Sequence, residues 1–457
     1  MPADVAREAA APAAGGVRSA EARSLANLAA QLRAAAHGRT RDAGTASSPS
    51  PDWLRAMRTA GIAALDHQQL PDERTEAWRH TALPALADTS LLLPVPATAG
   101  NGAAVPEGWA AEVAAALSCP VVVIVDGHAT LPAGAAAFAL GTGAAVAPPA
   151  LGGLAPLTDP FVAMNAALLH DVLVIDVAAN TRAGPLLLQH RTSETLHAQA
   201  ATRVLVRLGH HAELTLIEDI APRGGLHNLV TEVVLEDSAC LRHWRASSGQ
   251  SASAPGVVAG TSIARTFVDV SANATYQGYQ QVEAGHRVRE ELHIALTGEG
   301  AQARLAGVAH LQGRDHGDIA LRIEHLASST TSSSLYRGIA GGRGHFVFKG
   351  QIHIPAGVRA IDAALTNKNL LLSNDAEIDT RPELTINADD VRCSHGATIG
   401  QLDADALFLL RARGIDAELA RSLIMRAFAV AALHALPDDA VRELLTARLR
   451  GILGTPA

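Results

Sequence analysis

At 457 residues the chain is too long for one ordinary hydrophobic core, so two or three packed units are expected. Hydrophobic residues make up 48% and aromatics only 3%, which leaves the core to small and branched aliphatic side chains. A net charge of -8 with no basic stripe speaks against nucleic acid as a partner, and every apolar run is shorter than the roughly 20 residues of a spanning helix, which speaks against a membrane.

The start, Met1 to Arg23, is rich in Ala but carries Asp4, Glu8 and Glu21 and lacks the apolar centre of a secretory signal. Ser24 to Ala36 has helical spacing, with Leu25, Leu28 and Leu32 on one side. The polar Arg39 to Pro51 that follows reads as a linker, so residues 1–50 form a low-complexity extension. Trp53 to Leu65 reads as a helix. Val121 to Val125 reads as a strand closed by Asp126-Gly127, and Ala129 to Pro156 as loop with short elements. Trp78, one of four tryptophans, sits in Arg74 to Thr81. It is read as an anchor for the N-terminal part, with a partner contact as the alternative.

From Leu173 to Ile399 short runs of period two recur between Gly, Asn and Asp. Val204, Val206 and Leu208 form one such run, Leu292, Ile294 and Leu296 another, and Ile319, Leu321 and Ile323 a third. Ile352 with Ile354, Leu370 to Leu372, Ile378, Leu384 with Ile386, and Val391 continue the series. Alternation of this kind predicts strands with one buried face. The region is therefore all-β, either a sandwich or barrel or a solenoid. Uneven strand spacing yields no clean repeat. Gly341-Gly342-Arg343-Gly344 lacks the Lys-Ser/Thr ending of a phosphate loop and is followed by a strand pattern, so it reads as a turn.

After Gly400 the period becomes helical. Asp403 caps a helix holding Leu407, Leu409 and Leu410 and ended by Gly414; Asp416 caps a second; Pro437-Asp438-Asp439 opens a third. These helices read as a docking module. Their deletion is expected to remove partner binding while leaving the β region folded.

Two residues invite chemistry. Cys393 and His395, in Val391 to Thr398, are two apart, and on a strand they face the same side. A thiolate and an imidazole can both ligate a borderline metal, but two donors do not complete a site, so the others must come from elsewhere in the fold or from another chain. The alternatives are a buried cysteine beside a surface histidine, and a nucleophile with its base, for which no oxyanion donor is evident. The chain's 20 histidines show no other ligand spacing. Those of the β region (His210, His211, His227, His243, His286, His293, His310, His316, His325, His345 and His353) are expected mainly on solvated strand faces, with His353 pointing away from Ile352 and Ile354. The odd number of dispersed cysteines, Cys119, Cys240 and Cys393, argues against a disulfide framework and for a reducing, cytoplasmic setting.

The stretch from Gly350 to Leu410 resembles the SufB/SufD family of iron–sulfur cluster assembly proteins. The resemblance rests on Asn367 to Ser373 (NKNLLLS), Pro382 to Ile386, Asp390 to Thr398 (DVRCSHGAT) and Leu410 to Ile415, with weaker similarity in Arg74 to Thr81 and Thr158 to Val177. Ser373 falls where SufB carries a cysteine, and His395-Gly396-Ala397-Thr398 replaces the H-E-A-T run of SufB, so the SufD branch is the nearer one.

The resemblance implies a mainly β fold: a right-handed parallel β-helix over residues 166–400, between an N-terminal helical (α/β) domain at 51–165 and a C-terminal helical one at 401–457. It implies pairing with a SufB-type paralogue, binding of a SufC-type ABC ATPase by the C-terminal helices, and an iron–sulfur cluster that is transient and shared with SufB. His395 matches the SufD histidine implicated at that interface, and Cys393 is its neighbour. Neither the cluster type nor the part of a flavin is set by the residues. The competing functions are a plain adaptor without a metal role, and a β-solenoid enzyme acting on polysaccharide. The latter would want a signal peptide, aromatic sugar platforms and a carboxylate cluster.

Overall fold

The computed structural model describes residues 52–65, 68–72, 74–81, 105–132, 139–142, 153–192, 199–248, 260–283, 287–434, 436 and 438–454, with 30, 33 and 34. The linker at 39–51, His286 and Pro437 lie outside these, as does most of the helix expected at 24–36.

Strands alternate between two sheets. One holds ten, in the order β19 (Val391–Gly400), β17 (Ile361–Leu371), β15 (Thr331–Ala340), β13 (Gln302–Leu311), β11 (Thr275–Glu283), β9 (Cys240–Ser247), β7 (Glu213–Ala221), β5 (Leu186–Arg191), β1 (Val121–Val125) and β2 (His128–Thr130). The other holds nine: β18 (Glu377–Ile386), β16 (His345–Ile354), β14 (His316–His325), β12 (Arg287–Leu296), β10 (Thr261–Val270), β8 (Leu226–Leu235), β6 (Gln199–Leu208), β4 (Leu173–Val177) and β3 (Ala139–Thr142). Apart from β1 with β2 and β3 with β4, every pair is parallel. Each coil therefore lays one strand on each sheet, which makes a flattened solenoid and settles the choice left open by pattern. Gln302 lies beside Thr331, Thr331 beside Asp362, and Asp362 beside Arg392. A repeat of about 30 residues is thus present, in the range of stacked-repeat proteins.

Between the sheets runs one aliphatic core, from Val122 and Leu186 through Val204, Leu241 and Ile294 to Phe346, Phe348 and Leu365. The outer faces are clothed unevenly. Helices α1 (Asp52–Leu65) and α3 (Pro160–Leu168) cover the nine-stranded sheet with Ile62, Phe161 and Met164, against Ala201, Leu226 and Ile263. Three helices, α2 (Trp109–Leu117), α5 (Ala417–Leu433) and α6 (Asp439–Ile452), cover the ten-stranded sheet over Ile217, Trp244, Tyr279 and Ile339. Arg448 of α6 ion-pairs with Glu283 and lies 3.5 Å from Asp219, tying that helix down. Under the helices both strand faces are buried, as in β6 and β8; burial alternates with full or partial exposure in β12, β14, β15, β16 and β17. The single-buried-face expectation thus holds for the later coils and fails for the earlier ones.

Trp78 is the expected anchor. It ends a one-turn 3-10 helix (Glu76–Trp78), is buried, stacks on Phe161 at 5.1 Å, and lies under the Arg289 guanidinium at 4.0 Å. The glycine run is a turn between β15 and β16. Gly342 has φ +62°, and a Cβ there would stand 2.9 Å from the amide nitrogen of Gly313 in the coil below, so the turns stack only with glycine. After β19 comes α4 (Ala404–Arg411), capped by Asp403; Asp416 caps α5 and Asp438 caps α6. No helix among the described residues is long and apolar enough to cross a membrane.

Candidate functional site at the open end of the solenoid

β18 and β19 end their sheets, each with a neighbour on one side only among the described residues. On β19 the register sets Cys393 beside Ala363 and His395 beside Leu365, both buried core residues. Cys393 and His395 therefore belong to the inward-facing column, as their spacing predicts. The next coil that would cover this column is absent from the described residues. Cys393 is half-buried and packs on the core, whereas His395 is exposed. Burial, and next the Asp362 carboxylate, push the Cys393 thiol up, so it stays protonated at neutral pH until a metal or a base takes its proton. Among the described residues no third His, Cys, Asp or Glu joins this pair in a metal-binding group. Ser373 lies in the turn between β17 and β18, and its hydroxyl donates to the Gly342 carbonyl at 2.7 Å. Cys119, Cys240 and Cys393 are all free thiols.

Beneath the edge, Asn369 and Asn367 of β17 are buried on the same inward face, and Asn369 donates to Asn367 at 2.5 Å. Deeper still, the core carries a polar belt that pattern did not reveal. His243 lies 3.1 Å from Glu218 and 3.0 Å from the Tyr276 hydroxyl, and Arg245 donates to Glu218 at 3.1 Å. Burial pushes the Glu218 carboxyl up, but Arg245 and His243 outweigh it and hold that group well below the usual carboxylate range. The solvated-face expectation for histidines is corrected here. His227, His243, His310, His316 and His325 are buried, because His227, His243 and His325 point inward and because the outer face is covered over His310 and, by the Thr81 segment, over His316. His353 lies on the outer face, away from Ile352 and Ile354, and is half-buried. Alternation alone shows neither the covering helices nor polar residues placed at inward positions.

The architecture defines a class: a two-sheet parallel β-solenoid clad by helices, open at its last coil, with a thiol and an imidazole on the uncovered strand. The family model "SUF system FeS cluster assembly, SufBD core domain" matches residues 190–428, over half of the chain. The chain is 29% identical over 298 residues to the iron-sulfur cluster assembly protein SufD of Escherichia coli, covering 64% of this chain and 69% of that one. It is 30% identical over 299 residues to an iron-sulfur cluster assembly SufBD family protein of Synechocystis, covering 61% and 63%. A chloroplastic protein of Arabidopsis thaliana, ABCI7, is 27% identical over 307 residues, covering 65% and 63%. The chain belongs to the SufBD family of iron–sulfur cluster assembly proteins.

Proposed function

We propose that this chain is a non-catalytic scaffold subunit of a cytoplasmic SufBCD-type complex. It pairs with a SufB-type paralogue, binds a SufC-type ATPase through its C-terminal helices, and offers His395 and Cys393 to a cluster that is cargo rather than resident cofactor. The observation that carries this reading is the uncovered inward column of β19, a two-donor half-site beside a strand edge whose backbone groups are free to pair. A second solenoid placed against that edge would bury the half-site and bring further ligands. The ATPase contact is supported by α4, which buries none of its residues and exposes Phe408 at 70% and Leu409 at 52%. Nucleotide-driven movement of the partner relative to this chain would then open and close the shared site.

The test is reconstitution with a paralogue and the ATPase, followed by iron and sulfide analysis. His395→Ala should leave the complex assembled and lose most of the cluster, with Cys393→Ser less affected. Full loading of His395→Ala would leave only the adaptor reading, and a complete cluster held by the lone monomer would overturn the shared site.

A further inference from the structure

A second group of metal-ligating side chains lies on the outer face of the nine-stranded sheet. Register places His316, His345 and Glu377 side by side on β14, β16 and β18, and Asp379, two residues on, shares that face. Donor atoms of His345, Glu377 and Asp379 all lie within 4.8 Å of one another. A fourth donor arrives from far away in sequence: His80, two residues beyond the Trp78 anchor. Its Nδ1 is 3.2 Å from Asp379 Oδ2, the same oxygen that stands 2.7 Å from His345 Nε2. Two imidazole nitrogens converge on one carboxylate oxygen, with a second carboxylate alongside.

The surroundings hold this geometry. Glu76 ion-pairs with Arg381 and so pins the segment carrying His80 onto β18. The His316 ring packs edge-on against His345 at 4.9 Å, and its Nε2 lies 3.1 Å from the Thr81 hydroxyl, which donates to buried Asp318. Nearby cations already have partners: Arg381 has Glu76 and Glu383, and Arg289 has Asp318 and Glu291. Lys349 and Arg79 line the same cavity, of about 250 Å³, beside His80 and Asp379.

We propose that His80, His345, Glu377 and Asp379 bind one divalent transition-metal ion of the zinc class. Two nitrogens and two oxygens suit zinc or ferrous iron better than a thiophilic ion, and the imidazoles disfavour magnesium or calcium. Donors of a tetrahedral zinc stand about 3.3 Å apart; those of His345, Glu377 and Asp379 already lie within 4.8 Å of one another, and His80, 3.2 Å from Asp379 but outside that group, would turn its ring toward the other two. The ion would staple the segment around Trp78 to the last coils of the solenoid. This site is separate from Cys393 and His395 and does not rest on the scaffold function.

The full-length chain, stripped of metal, is titrated with Zn²⁺ by calorimetry and with Co²⁺ by visible absorption. One equivalent should bind, with the intense d–d bands of four-coordinate cobalt. His345→Ala and Asp379→Asn should each weaken binding by at least about tenfold. Glu377→Gln, at an exposed position where misfolding is no concern, should weaken it as well. Cys393→Ser and His395→Ala should bind as the wild type does. Absence of saturable binding, undiminished affinity in His345→Ala or Glu377→Gln, or loss of the signal in Cys393→Ser or His395→Ala would each overturn the site. The titration involves no partner chain, so its failure leaves the reconstitution experiment untouched.

Discussion

Glu218 is the residue on which the solenoid's polar interior turns. It is fully buried and compensates Arg245, so Glu218→Ala would strand a guanidinium inside the protein. Removing one partner of a buried pair costs about 3–5 kcal/mol, and urea unfolding of the variant should read a loss of that order. His325 gives a pH-dependent counterpart. Its nitrogens lie 2.8 Å from the Thr330 hydroxyl and 2.9 Å from that of Ser332, and burial pushes it down from its ordinary 6.5 to about 4. Between those values the unfolded chain binds the proton and the folded chain does not. The contribution is therefore complete above pH 6.5 and is lost as pH falls toward 4, at most about 3 kcal/mol. His325→Gln, which keeps hydrogen bonding, should flatten stability against pH over that window; equal slopes would refute the assignment. At this scale the shared face of Cys393 and His395 was legible, because a spacing of two has one meaning on a strand. Glu218 and the His80 cluster were not, since their members come from strands and turns that only the coil register brings together.

At the scale of elements, alternation marked β6 through Val204, Val206 and Leu208 and was clearest in β12, β14 and β16 of the nine-stranded sheet, whose inward positions alternate with partly exposed ones. Upstream, β6 to β10 look continuously apolar or mixed, since α1, α3 and α2 bury the other side as well. The three C-terminal helices were legible from Asp403, Asp416 and Asp438, each of which accepts hydrogen bonds from the first turn of its helix. Their packing was not. Deleting all three would bare Tyr279, Ile339 and Trp244, so the β region would lose its cover rather than survive intact. Substitution is the sharper experiment. Phe408→Asp with Leu409→Asp alters only exposed positions of α4, and should abolish co-elution with the ATPase while changing the thermal midpoint by no more than a degree or two. Retained co-elution would move the ATPase contact elsewhere.

For the molecule as a whole, the family resemblance fixed the solenoid where residue periodicity left a barrel equally open. The repeat was hidden because the strands are unequally spaced: 13 residues separate β9 from β10, but only four separate β10 from β11. The assembled stack has helices on both flanks and one raw end. Ile386 and Ile399 stand 38% and 46% exposed there, beside backbone groups that seek partners. Expressed alone, the chain should self-associate through this end in a concentration-dependent manner, and Ile399→Lys should shift sedimentation toward the monomer; unchanged sedimentation would place the contact elsewhere.

The Gly342 turn carries a consequence for how the chain can change over time. This corner is built directly on the corner beneath it, with no room for a single methyl group between Gly342 and Gly313. Successive coils of 29, 31 and 30 residues share the stack, so single-residue changes are taken up at other corners, and this one admits only changes that leave its glycines in place.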